Sequence, residues 1–234
     1  MAIAFIRAAE INPSVAATSH SVSFDASGVD CIVVGCRNTG TTSIVTGVTF
    51  NGTAMTLARN DGTNQRGSSI YVLFAPAQVT ANIVVSYSSS IAIGTLISGY
   101  SGGTFTLGNT AGRSDAGTSG SGSAVNVPIT SLSGSMVVDF FVLTKGNSTV
   151  APTPTSGQTG VGAHLDGGGF AYNRMSYRSE AAGMSWVWDG PALLGQSHSL
   201  IELRATAGTP TVTGVTVSPS TATGGGGANQ TFTA

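Results

Sequence analysis

Residues 45–58 read VTGVTFNGTAMTLA, two short runs of alternating apolar and small polar residues on either side of Asn51-Gly52. A two-residue type I′ turn needs positive φ at both central positions, and Asn followed by Gly adopts it at little cost, so the stretch predicts a β-hairpin. Register follows from the turn. Phe50 faces Thr53 and Val48 faces Met55, which places Val48, Phe50, Met55 and Leu57 on one face, the side expected to be buried.

The same grammar runs outward along the chain. Apolar runs of four to ten residues, rich in Val, Ile, Thr, Phe or Tyr and bounded by Gly, Ser, Asn or Pro, recur without a sustained helical period. They predict strands at Ala2–Ala9, His20–Phe24, Cys31–Arg37, Val45–Phe50, Ala54–Arg59, Ser68–Phe74, Asn82–Tyr87, Ile91–Gly99, Phe105–Leu107, Ala124–Ile129, Met136–Thr144, Phe170–Arg178, Met184–Trp188 and Ser197–Arg204. Three runs, CIVVG from Cys31, IYVLF from Ile70 and MVVDFFVL from Met136, are apolar on both faces and read as central strands covered on each side. The expected fold is all-β, an antiparallel β-sandwich of jelly-roll or Ig-like type over residues 1–207, followed by an extended tail. Two stretches read as loops: 108–123, which has almost nothing to bury, and 146–169, stiffened by Pro152 and Pro154 and ending in HLDGGG.

Composition narrows the function classes. Apolar residues make 41% of the 234-residue chain and charged ones 8%, far below the roughly 25% charged share of ordinary domains. Ser, Thr, Gly and Asn must therefore form most of the surface, a neutral face suited to close contact with neighbours. The formal net charge is -1 and Lys145 is the only lysine among nine basic residues. No basic stripe exists to neutralise phosphates, which argues against nucleic acid as a partner. No apolar stretch approaches the ~20 residues of a membrane span, and Arg7, Glu10 and Asn12 interrupt the only candidate for a secretory leader. Cys31 and Cys36, five residues apart on one extended strand, are separated by about 16 Å and point to opposite faces, so they are expected to be free and buried.

Candidate chemistry is sparse. The histidines, His20, His164 and His198, are scattered and no GxSxG stands near them, so a Ser/His/Asp hydrolase is not favoured. His164 and Asp166 are two residues apart in HLDGGGF, where they read either as a polar loop or as half of a metal site lacking its second cluster. The acids Asp139, Asp166, Glu180, Asp189 and Glu202 offer no pair whose separation the spacing sets. Asp139 interrupts an apolar strand and shares a face with Val137, Phe141 and Leu143, which makes it either a hydrogen-bonded carboxylate at a sheet edge or a perturbed functional acid. Trp186 and Trp188 lie on one face of a short strand, turned inward as packing or outward as a platform for a sugar ring. Tyr172, Arg174, Tyr177 and Arg178 are candidates for an aromatic and guanidinium contact patch. No cofactor is implied.

Two resemblances add context. VTGVTVSPSTAT, from Val212, followed by glycines and QTFTA, resembles the opening of a bacterial Ig-like repeat of group 2 type, found in surface adhesins and phage virion proteins. It spans about the last 25 residues, a fraction of what such a sandwich needs. Upstream, DCIVVGCRNT, VTGVTFNGTAMTLA, YVLFAP, ANIVVSYS, ISGYSG, SWVW and HSLIELRA look like a β-sandwich domain of tailed-phage structural proteins and bacterial surface proteins. The resemblance implies a non-enzymatic virion protein, a capsid decoration, fibre or tail-associated component. It would be made in the host cytoplasm, homo-oligomeric and bound to other virion proteins such as a capsid or tail protein. The alternative is a carbohydrate-binding or adhesin module at a cell surface. Residues 208–234 are expected to be a linker and incomplete Ig-like segment, whose Val215, Val217 and Phe232 add a strand to a neighbour.

Overall fold

The computed structural model describes residues 2–39, 44–62, 66–116, 125–145, 151–165, 171–188 and 193–206. Their strands are β1 (Ala4–Ile11), β2 (Ala17–Asp25), β3 (Cys31–Thr39), β4 (Val45–Phe50), β5 (Thr53–Ala54), β6 (Thr56–Asp61), β7 (Arg66–Phe74), β8 (Thr80–Ile91) and β9 (Thr95–Ser101). They continue as β10 (Thr104–Ala116), β11 (Val125–Pro128), β12 (Met136–Lys145), β13 (Thr153–Pro154), β14 (Thr159–Leu165), β15 (Ala171–Ser179), β16 (Gly183–Val187) and β17 (Leu193–Thr206). All the ladders are antiparallel. The fold is all-β, and the tail lies outside the described residues.

Four sheets stack in layers. The outer N-terminal sheet, β2-β8-β4-β5, packs on an inner sheet, β1-β9-β3-β7-β6. That sheet packs on a second inner sheet, β10-β17-β12-β15-β14, which is covered by the outer C-terminal sheet, β11-β16-β13. Three cores fill the gaps: Phe24, Ile32, Val34, Phe50, Ile83 and Val85 in the first; Val33, Ile70, Leu96, Tyr100, Phe140 and Met175 in the central one; Val137, Phe141, Leu143, Tyr172, Trp186 and Leu200 in the third. Both inner sheets are thus covered on each side. This is why β3, β7 and β12 are apolar at odd and even positions alike, as their sequences predict. Cys31 falls in the central core and Cys36 in the first, both free and buried. Each pair of sheets has the strand order of a jelly roll, two interleaved Greek keys, rather than that of an Ig domain. The sandwich expected over residues 1–207 is built of two such halves.

The hairpin forms as its sequence dictates. Asn51 and Gly52 have φ of 48° and 77°, Phe50 pairs with Thr53, and the Met55 amide donates to the Val48 carbonyl at 2.8 Å. Leu57 departs from expectation and is 48% exposed. The chain leaves the outer sheet after Ala54, enters the inner one at Thr56, and bulges between Leu57 and Arg59, so the alternation is broken. The loop expected over 108–123 is instead strand to Ala116, paired with β17. Its small residues are needed there: a Cβ at Gly112 would overlap the Asp61 carboxylate, and one at Gly108 the Glu202 carboxylate. The loop expected over 146–169 contains β13 and β14.

The two halves correspond strand for strand: β1, β9, β3, β7 and β6 match β10, β17, β12, β15 and β14 in order. Bulges set the alignment. One on β6 falls opposite Tyr71/Ile70 and one on β14 opposite Ser176/Met175. Carried through β3 and β12, this equates Gly35 with Phe140 and Tyr100 with Leu203. The second pair of bulges, on β1 beside Tyr100 and on β10 beside Leu203, independently agrees.

Contacts between the inner sheets are reciprocal under this alignment, as across a two-fold axis. Gly35 meets Phe140, its own equivalent, and a Cβ there would overlap the ring. Asn173 Nδ2 donates to the Gly94 carbonyl at 3.1 Å, while the equivalents Ser68 and Ser197 join through the Ser68 amide at 3.1 Å. Gly94 packs under His164, and the equivalent Ser197 Oγ donates to the Asp61 carbonyl at 2.6 Å.

Candidate functional site

A fully buried polar cluster centres on Asp139. Strand β12 lies between β17 and β15, and Asp139 projects from it toward the outer C-terminal sheet. Its Oδ1 accepts from the Ser176 amide at 2.8 Å and the Ser176 hydroxyl at 2.7 Å. Its Oδ2 accepts from Trp186 Nε1 and His198 Nε2, each at 2.7 Å. Asp139 is therefore a hydrogen-bonded carboxylate at the centre of its sheet, not at an edge. Burial there is tolerable because four donors replace the water lost.

The surroundings lock these partners. Gln158 Nε2 donates to Ser176 Oγ at 3.0 Å, and Gln158 Oε1 accepts from the Ser185 amide at 2.7 Å and Thr155 Oγ1 at 2.8 Å. Phe141 stacks on Trp186 with centroids 5.7 Å apart and on Trp188 at 5.8 Å, and meets the His198 ring edge-on at 5.4 Å. Asp139, Ser176 and His198 are 0% exposed. A serine nucleophile would have to donate to the histidine; here the carboxylate stands between them and both donate to it. The arrangement is a structural knot joining both sheets of the C-terminal half. Its equivalents in the N-terminal half are Val34 for Asp139 and Tyr71 for Ser176, so the knot belongs to one half only.

Other acids are equally engaged. The Glu202 side chain, fully buried, accepts from the Asn109 amide at 2.9 Å, the Leu132 amide at 2.7 Å and Arg204 at 2.8 Å. Burial alone would raise its pKa, but the Arg204, Leu132 and Asn109 hydrogen bonds hold it at about 2. Asp61 accepts from Arg59 Nε at 2.8 Å and Ser199 Oγ at 2.7 Å. Glu180, at φ 51°, accepts from the Gly134 amide at 2.7 Å and so fastens a turn.

The residues singled out in the sequence scatter. Trp186 and Trp188 are 1% and 2% exposed, so both rings turn inward as packing. Tyr172 is buried in the third core while Tyr177 packs in the central one, stacked on Phe5 at 5.4 Å. The contact patch is thus split between the two faces of β15, because positions of opposite parity point apart. Arg174 shares the face of Tyr172 and lies over its ring at 5.4 Å. His20 Nε2 lies 2.6 Å from the Ile91 carbonyl, and His164 is wedged between the inner sheets over Gly94. No group of three or more His, Cys, Asp or Glu among the described residues could hold a metal ion. Asp166, Asp189, Val215, Val217 and Phe232 lie outside the described residues.

Sequence reasoning missed that Ser176, Trp186 and His198 converge on Asp139. The only local signal was the acid inside an apolar run; the donors come from three other strands.

No protein-family model, curated protein or solved structure matches the chain.

Proposed function

We propose that the chain is a non-enzymatic structural protein of a tailed-phage virion, a capsid decoration, fibre or tail-associated component that acts by binding protein surfaces. The observation that carries this is the fate of the reactive groups. Asp139, Ser176 and His198, where acid, hydroxyl and imidazole meet, are sealed at 0% exposure, and the hydroxyl and the imidazole both donate to the carboxylate rather than to each other. The exterior is left to neutral, mostly small residues in a chain only 8% charged, a surface that suits close packing in a symmetric assembly. The sequence resemblance supplies the phage setting.

Mass spectrometry of purified particles tests the reading. The protein should be present at a copy number set by capsid or tail symmetry. Absence from particles, combined with saccharide-array binding by the purified protein, would replace it with the adhesin reading.

A further inference from the structure

Between β13, at the edge of the outer C-terminal sheet, and β14, at the edge of the inner one, lies an open groove of about 250 Å³. Pro152 and Pro154 wall one side, residues 160–163 the other, and Trp186 and Arg174 complete it. Arg174 is the ionisable residue among the described residues that line it. The Arg174 Nε–H is buried with no acceptor, and no ion pair to this guanidinium exists among the described residues. Burial pushes its pKa down, opposed by Tyr172. A half-buried guanidinium whose buried Nε–H lacks an acceptor has lost hydration that no protein group replaces.

The equivalent positions in the N-terminal half are neutral. Ser69 stands where Arg174 does, Asn60 where Ala163 does, and Asn38 where Leu143 does. There Asn38 Nδ2 donates to Asn60 Oδ1 and to Ser69 Oγ, each at 3.3 Å, and Ser69 Oγ donates to the Cys36 carbonyl at 3.3 Å. The C-terminal half has Leu143, Ala163 and Arg174 at these positions, and the guanidinium, over the Tyr172 ring at 5.4 Å, makes no ion pair among the described residues.

We propose that the groove docks an extended acidic segment of an assembly partner, whose Asp or Glu carboxylate pairs with Arg174. Charge complementarity selects the residue, since a guanidinium matches a carboxylate with two parallel hydrogen bonds. The geometry selects the conformation. An edge strand such as β14 offers main-chain groups for strand addition, whereas the prolines of the opposite wall offer no N–H. An acidic sugar fits less well, because a ring stacks on an exposed aromatic face and Trp186, stacked on Phe141 at 5.7 Å, is only 1% exposed.

This inference rests on the protein-binding reading above. Its test is an array of capped extended pentapeptides with central Asp or Glu, paired with Asn or Gln twins, probed with the full chain. Acid-centred peptides should bind at least tenfold more tightly than their twins. Arg174→Ala should abolish the difference at unchanged melting temperature, and Arg174→Lys should keep part of it. Absence of binding, equal binding of the twins, binding indifferent to Arg174→Ala, or binding only to oligogalacturonate would overturn the proposal. Presence in particles without peptide selectivity sinks the groove alone; selectivity in a protein absent from particles sinks the virion reading alone.

Discussion

Asp139 shows how one residue sets what a core tolerates. Replacing it by Ala leaves the Trp186 Nε1–H, the His198 Nε2–H and two Ser176 donors without their acceptor, in a region closed to water. Breaking a buried charged hydrogen-bond set by removing one partner costs about 3–5 kcal/mol, a large part of the roughly 5–15 kcal/mol that holds a domain folded. Urea denaturation of Asp139→Ala should show a loss of that size. Asp139→Asn, which keeps one acceptor oxygen, should lose less. An Ala variant as stable as the parent would mean that the knot contributes nothing.

At the scale of elements, Glu202 of β17 ties the β10 bulge to the loop before β12 through the Asn109 and Leu132 amides. Its folded pKa of about 2 lies below the ordinary 4.5. A depressed carboxylate contributes stability that is fully present above the unfolded value and lost as pH falls through the folded one. The stabilisation should therefore disappear between about pH 4.5 and pH 2, by roughly 1–3 kcal/mol. Glu202→Gln should flatten the stability profile in that window relative to the parent, measured by denaturant midpoints across the range. Parallel profiles would show that the carboxylate is not engaged in solution. The long β10 itself was not legible in the sequence. Its glycines and serines look like loop because small residues bury little; they are strand because their backbone pairs with β17, and Gly108 and Gly112 leave room for the Glu202 and Asp61 carboxylates.

For the whole molecule, the two-fold relation between halves makes a direct prediction. Gly35 and Phe140 are equivalents in contact across the central core. Gly35→Phe alone places a second ring in occupied space and should destabilise severely, since overpacking typically costs about 1–3 kcal/mol or more. Exchanging the pair, Gly35→Phe with Phe140→Gly, moves one ring to the equivalent place in the opposite sheet and should recover more than half of that loss by chemical denaturation. A double variant as unstable as the two single effects added would refute the equivalence.

The sequence alone determined the strand content, the hairpin at Asn51-Gly52, the isolation of the two cysteines and the double-sided burial of β3, β7 and β12. These follow from backbone sterics and from side-chain alternation, which act over a few residues. Only the tertiary structure decided the rest: that Leu57 turns outward, that β10 is strand, that both tryptophans are interior, that four strands converge on Asp139, and that one jelly roll is built twice. The repeat left no visible trace in the residues, because equivalent positions hold Gly35 and Phe140, or Val34 and Asp139. What the halves share is strand pairing and bulge placement, carried by backbone hydrogen bonds that nearly every side chain permits.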